Sequence, residues 1–426
     1  MPERRLPVRP NLEHLRHQAK DLLRAIHRGE AEALAELRQF HPQPADPAAV
    51  RLADAQLALA RSYQARDWPR LVQACNLVEA IWRDDPEAVR DLVSKYPGLL
   101  HEHVLIRSNS NWGPPLSYAA NLGRDRIITM LHELGARDLE SALDRAALQG
   151  RIETARMLHR MLGAPPPPEG ALGGPAYTLS ATGTALVLEL GGKVRDANGR
   201  RLAPVDVVLE TDSRKPEAKH QILEMYVRHG LELPDTPTMA LHRGRIDLLE
   251  AHLRRDPKLL ERTLAHEEIY PPELGCHDEV LATHGTPLAG ATLLHMCVDY
   301  DEMEIARWLL GRGMNVDAPA AVDADGFGGH TALFSTVVSQ PNFWMNYQSR
   351  VQEAPFTQLL LDHGANPNAR ASLRKRLHPG YAPAYDVEKT CEYRDVTPLA
   401  WGRRFHAQVF VSQPALRLIA AAGGRE

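Results

Sequence analysis

The sequence predicts an all-α protein built as a stack of short helical hairpins, and three observations lead there. First, two stretches align with each other without a gap. One opens at Pro114 and closes at Gly135; the other opens at Thr292 and closes at Gly313, the same 21-position separation. Second, the second half of each stretch carries apolar residues at helical spacing (Ile127, Ile128 and Leu131; Ile305, Leu309 and Leu310). Third, the closing glycines stand where a helix stops on a left-handed residue. Two helices this short cannot bury their apolar faces alone, so copies must stack.

Taken along the chain, residues 1 to 70 lack the repeat. Asn11 is a good cap for a helix whose stripe runs Leu12, Leu15, Ala19, Leu22 and Ile26 to Gly29. Ala31 to Phe40 and Val50 to Tyr63 read as two more helices, parted by Pro42, Pro44 and Pro47. The expected product is a helical bundle capping the open end of the stack. A degenerate first hairpin follows over residues 71 to 100, with Asp85-Pro86 starting its second helix. Next come Pro114-Pro115-Leu116-Ser117-Tyr118-Ala119-Ala120 with Gly123 and Gly135-Ala136, and then Ser141-Ala142-Leu143 with Gly150 and Gly163-Ala164. Looser copies run from Gly174, Ala203 and Asp235. Thr292-Leu293-Leu294-His295 opens a regular copy, Thr331-Ala332-Leu333-Phe334 one with a long internal insertion, and Thr397-Pro398-Leu399-Ala400 the last, ending near Gly423.

This pattern resembles the ankyrin repeat, with its T-P-L-H-x-A opening, internal Gly and Gly-Ala close, over roughly residues 71 to 426. Steps near 33 residues and the Gly-Ala endings favour it over a tetratricopeptide array. The resemblance implies a solenoid of about eight or nine hairpins. The N-terminal part also resembles a segment that accompanies bacterial ankyrin proteins. In such an array His295 would bond turn backbone, and the links between hairpins would form fingers beside a concave face.

Composition narrows the function classes. The 426 residues are 44% hydrophobic and 24% charged with a net charge of −4, giving no global electrostatic case for nucleic acid or an anionic membrane. The basic N-terminal residues Arg16, Lys20, Arg24 and Arg28 alternate with acids, as on a solvated helix face. No apolar run is long enough to span a bilayer, and no signal core follows the N-terminus. Cys75, Cys276, Cys297 and Cys391 form no C-x-x-C pair or disulfide framework, which points to a reducing, cytoplasmic setting.

Individuality lies in three insertions, near residues 267–290, 340–354 and 370–396. Aromatics with arginine nearby are what interfaces are built around. The expected partner-binding residues are therefore Trp112, Phe343, Trp344, Tyr347, Arg374, Arg376, Tyr381 and Tyr385. Local mini-cores are the competing role for these rings, and for Tyr393. Cys276, His277, Asp278, His284 and His295 have the chemistry of zinc ligands but no zinc spacing. Asp323-Ala324-Asp325-Gly326 lacks the twelfth-position Glu of a calcium loop and reads as a turn, and Gly326 to Gly329 lacks the strand that precedes a dinucleotide loop. No H-E-x-x-H, G-x-S-x-G or P-loop motif occurs.

The expectation is a monomeric, non-enzymatic adaptor or scaffold that binds a protein on its concave face and fingers. It needs no cofactor or metal and contacts neither nucleic acid nor membrane. The alternative is a metal- or small-ligand-binding protein, possibly an enzyme, with a pocket under the 267–290 insertion.

Overall fold

Capping and apolar stripes produce the helices where the sequence places them. In the computed structural model, which describes residues 4–43, 46–277, 285–342, 353–377 and 389–426, the Asn11 side chain accepts from His14 N–H at 2.9 Å and starts helix Leu12–His27. That helix buries Leu15, Ala19, Leu22 and Ile26 against helices Ala31–Phe40 and Leu52–Ser62. Asp67 and Asp85 cap helices Trp68–Trp82 and Pro86–Lys95, each with proline in the first turn, where its missing N–H costs nothing. Hairpins Pro115–Leu122/Asp125–Glu133 and Leu139–Leu148/Ile152–Met161 follow.

The chain divides into two compact units, Met1–Pro166 and Pro167–Glu426. The second continues the hairpin pattern: Gly173–Tyr177/Ala181–Glu189, Val205–Glu210/Pro216–Arg228, Pro237–His242/Ile246–Arg255, Leu293–Asp299/Met303–Gly311, Ala332–Val337/Pro355–Asp362 and Pro398–Arg404/Gln413–Ala421. Its core is one continuous cluster from Leu172 to Ile419.

Two left-handed positions punctuate each regular hairpin. At its close, the residue after a positive-φ glycine donates its N–H back five residues: Ala136 to Leu131 O, Met314 to Leu309 O, Ala365 to Leu360 O. At the turn inside the hairpin the same device recurs, with Arg124 N–H reaching Ala119 O, Arg151 reaching Ala146 O, Arg245 reaching Ala240 O and Glu302 reaching Cys297 O. The left-handed residue there is Gly123, Gly150 or Gly244 in three hairpins, and Asp301, at φ 61°, in the fourth.

His295 does what its place in the repeat implies. Its Nδ1 accepts from Thr292 N–H at 3.2 Å and lies 2.9 Å from the Thr292 hydroxyl, while Nε2 reaches His330 O at 3.0 Å. Burial pushes its pKa down to about 4, so it is a neutral structural group.

The insertions are where the fold adds something. The described part of the first, up to residue 277, is packing material: Ile269, Tyr270, Leu274 and Cys276 are buried in the main cluster. The third contains a β-hairpin within the otherwise helical unit. β1 (Ala371–Leu377) pairs antiparallel with β2 (Lys389–Val396), Arg374 facing Glu392, with an irregularity between Ala371 and Leu373. Ala371, Leu373 and Lys375 alternate inward, and Tyr393 packs edge-on against Trp401 at 4.8 Å. β1 also pairs at Ser372 with Gly328 of the turn before helix Ala332–Val337.

Gly328 makes that junction possible. Its φ is 122°, and a Cβ there would lie 2.0 Å from the Ala321 carbonyl oxygen. Gly328→Ala is therefore expected to cost about 1–3 kcal/mol. The measurement is urea unfolding of the full chain, with amide exchange at Ser372 showing whether the loss starts at this junction.

Candidate functional site

One described cavity lies away from where fingers and concave face would put it. About 540 Å³ is enclosed by Thr178, Ser213, Arg214, Lys215, Val298 and Asp301 on one side and by Thr336, Ser339, Asn342 and Glu353–Thr357 on the other. These segments are connections inside hairpins, or the helix ends that feed them. In an antiparallel hairpin that end lies opposite the end bearing the finger. The cavity thus sits at the far end of the second unit's hairpins, flanked by the residues on either side of the 340–354 insertion.

A buried charge network forms the wall behind it. Lys219 Nζ lies 2.8 Å from Glu302 Oε1, their side chains only 4% and 3% exposed, and His220 Nε2 meets the same oxygen at 2.8 Å. Burial alone would push the Glu302 carboxyl up; Lys219 and His220 outweigh it and hold it below its ordinary range. Arg214 is fastened beside this knot. Its Nε donates to Asp299 O at 2.7 Å, Nη2 to Asp299 Oδ2 at 3.1 Å, and Nη1 to the Thr211 and Ser213 carbonyls. The Tyr300 ring lies under both cations, 4.8 Å from Arg214 and 4.6 Å from Lys219. His242 abuts Tyr300 edge-on, and burial, reinforced by Lys219 and Arg214, drives its pKa well down.

The network spans an intervening hairpin. Arg214, Lys219 and His220 belong to the Val205–Arg228 hairpin, Asp299 and Glu302 to the Leu293–Gly311 hairpin, and Pro237–Arg255 lies between them in sequence. The crossing depends on Gly244, the tight turn of that middle hairpin, where a Cβ would stand 2.3 Å from His220 Nδ1.

Asp301 stands apart from this network. It lines the cavity, and among the described residues no ion pair or hydrogen bond involves its carboxylate. Burial first, then Glu302 and Glu217, raise its pKa from 3.8 to about 6, against the smaller pull of Arg214 and Lys219.

The residues expected to bind a partner are not gathered at this cavity. Trp112 lies in the first unit, half-buried, its ring 4.9 Å from Tyr118. Tyr118 in turn receives Trp82 Nε1–H at 2.8 Å, so Trp112 sits on a local aromatic cluster. The Arg374 guanidinium is held by Asp325 and Asp323, both at 2.8 Å, above the Phe327 ring. Arg376 is placed only as the strand residue opposite Thr390. Phe343, Trp344, Tyr347, Tyr381 and Tyr385 lie outside the described residues, as do Asp278 and His284 of the zinc-like set. Of that set, Cys276 is buried in the core, His277 pairs with Glu210 at 3.1 Å, and His295 is occupied as described. Among the described residues no group of three or more His, Cys, Asp and Glu could hold a metal ion. Asp323 closes its turn by accepting from Asp325 and Phe327 N–H. No helix among the described residues is long and apolar enough to cross a membrane.

The sequence reading missed Asp301, although the signal was there: the gapless alignment of the two best repeats sets Asp301 against Gly123 and Glu302 against Arg124.

Comparison with known proteins agrees with the repeat. Residues 289–321 match the ankyrin repeat family model. No curated protein matches the sequence. Among solved structures, the human ASB11 ankyrin repeat domain is 15% identical, covering 73% of this chain and 99% of its own, with a TM-score of 0.26. The ankyrin repeat domain of Bcl-3 is 15% identical over 65% and 97%, at 0.23. An ankyrin repeat domain from Acinetobacter baumannii AYE is 18% identical over 67% and 100%, at 0.21. At such TM-scores none of them fixes how the hairpins are arranged here.

Two outcomes follow from the buried charges. Lys219→Met is expected to cost about 3–5 kcal/mol, because it leaves Glu302 buried with half its compensation, and Lys219→Met/Glu302→Leu to recover most of that in urea unfolding. For Asp301 the raised folded-state pKa means the native state holds the proton more tightly than the unfolded chain. Stability therefore falls as pH rises from about 4 to about 6. Asp301→Asn is expected to be more stable than the parent at neutral pH, the difference vanishing below about pH 4 when both are unfolded by urea across that range.

Proposed function

We propose that the chain is a protein-binding adaptor or scaffold that contacts its partner through the irregular connections of an ankyrin-type hairpin stack. The observation that carries this reading is the pre-formed finger surface of the second unit. The Asp323–Gly329 turn and the β1–β2 hairpin are joined by backbone pairing at Gly328 and Ser372, and by Arg374 and Arg394 stacked on Phe327. A surface already ordered before contact spares the partner the entropy of ordering it. Val322, 61% exposed at the edge of this turn, offers an unburied apolar contact. Tyr177, 59% exposed beside the cavity residue Thr178, offers another at the opposite end of the hairpins. Two separated contact regions on one array are what a scaffold uses to hold more than one segment of a partner.

In this reading the primary role of Arg374 is to hold the finger to β1 rather than to meet the partner. Its removal would act by loosening that surface. Of the 267–290 insertion, Ile269, Tyr270, Leu274 and Cys276 are buried in the core, while Pro287, Ala289 and Gly290 border a cavity of about 220 Å³ shared with Val322 and Arg374.

Site-specific photo-crosslinking tests the proposal. A benzophenone amino acid in place of Val322, and separately in place of Tyr177, is introduced into the full chain in a lysate of the source organism. Discrete adducts that unlabelled chain competes away are expected at one or both positions. Absence of competable adducts at both overturns the reading.

A further inference from the structure

The lining of the 540 Å³ cavity has an unbalanced hydrogen-bond inventory. Its cations already donate to the protein's own acceptors. Arg214 gives its N–H groups to Asp299, Thr211 and Ser213, and Lys215 Nζ donates to Thr178 O at 2.8 Å. Two neutral groups, Asn342 and Thr336, are committed in the same direction. Asn342 donates its amide to the Thr336 and Val337 carbonyls, and the Thr336 hydroxyl donates to Leu333 O at 2.8 Å. What these two side chains retain is oxygen acceptors. Asp301 adds a carboxylate with no hydrogen bond or ion pair among the described residues. The cavity therefore calls for a ligand that donates and carries positive charge.

Backbone geometry makes Asp301 more telling. It occupies, at φ 61°, the turn position that glycine fills in three other hairpins, so it carries a conformational cost as well as a desolvation cost. Asp84 and Leu179 also hold left-handed turns, but Leu179 is a buried apolar contact and Asp84 lines none of the described cavities. With Arg214 neutralised by Asp299, the remaining formal charges of the described lining are Lys215 against Asp301 and Glu353, a net negative wall.

We propose that this cavity receives the ammonium group of a lysine side chain from the bound protein partner, with Asp301 as its counter-charge. Val298 and the Phe356 ring give the aliphatic stem an apolar wall, and the Thr336 and Asn342 oxygens supply acceptors for a three-donor head. A compact ammonium suits a single carboxylate with scattered acceptors better than a planar guanidinium, which needs a bidentate face. The assignment rests on the protein-binding reading for the source of the lysine, but the cavity chemistry stands separately.

Methyl-labelled full chain, observed through Val298, Ala354, Thr336 and Thr357, tests it with three probes: acetyl-Ala-Ala-Lys-Ala-Ala-amide, the same peptide with norleucine for lysine, and n-butylamine. At about pH 7.5 the lysine peptide is expected to shift these methyls saturably and the norleucine peptide to leave them unmoved. Asp301→Asn is expected to weaken the lysine peptide roughly tenfold or more, as is lowering the pH to about 5, where Asp301 is protonated beside Glu302, Glu217, Arg214 and Lys219. Asparagine tolerates the left-handed turn, so the variant keeps its fold. Equal shifts from the norleucine peptide, no shifts from the lysine peptide, or an undiminished affinity in Asp301→Asn overturns the ammonium site. Butylamine binding as tightly as the peptide overturns the protein source while leaving the amine chemistry. Missing photo-crosslinks with intact peptide binding would count against the scaffold reading alone.

Discussion

The second unit is organised around one buried carboxylate. Glu302 meets both Lys219 and His220 on a single oxygen in a setting almost without solvent, and each of those partners comes from the hairpin two places earlier in the chain. A charge so placed cannot tolerate a loose fit, because removing it from water costs more than any one contact returns unless every partner is in place. The middle hairpin must therefore turn tightly enough to let the two outer ones touch. Gly244 supplies that turn, and His220 occupies the space a side chain there would need. The stacking of three hairpins is locked by this crossing at their turn ends, while apolar packing along the helices holds them in the manner of any repeat.

That arrangement divides the hairpin connections into two populations. Turns such as Gly123-Arg124 and Gly150-Arg151 are short, basic and repetitive, and their arginines donate to backbone of the hairpin before, Arg124 to Trp82 O and Arg151 to Asn121 O. The connections from Ser213 to Lys215, from Tyr300 to Glu302 and around Ser339 to Asn342 depart from that plan in length or charge, and they converge on one cavity. At the other end of the unit, the departure is a β-hairpin laid against the Asp323–Gly329 turn. Regular repeats thus place irregular segments at fixed positions.

How much of this was legible depended on the range of the interactions involved. Local rules sufficed for helix caps such as Asn11 and Asp85, for the left-handed closing glycines, and for His295, whose bonds run to Thr292 and to the next hairpin's His330. The β-hairpin was not legible because Lys375 sits at an inward position of β1, where its charge hides the alternation that marks a strand. The insertion from residue 267 was expected to carry individuality, yet its Ile269, Tyr270 and Cys276 proved to be buried in the core. The Lys219–Glu302 contact could not be read at all. It joins residues more than two repeats apart across an intervening hairpin, and its existence depends on how the hairpins stack, which no local pattern encodes.

Asp301 shows why an irregular residue inside a regular array is informative. Selection for stability alone would keep Gly-Arg at this turn, as in the Gly244-Arg245 hairpin directly before it, and would avoid setting two carboxylates side by side in a partly buried place. Glu302 is offset by Lys219 and His220, so its burial has a structural return. Among the described residues Asp301 has no such return: its backbone is left-handed, burial and two neighbouring acids push its pKa up, and Arg214 in the cavity wall is already committed to Asp299. Destabilisation that the fold does not itself offset is characteristic of groups kept for binding. A positively charged group from outside would relieve the desolvation and the repulsion together. It would bind more tightly here than at an acid already paired on the surface, because the fold leaves that interaction to be completed by the partner.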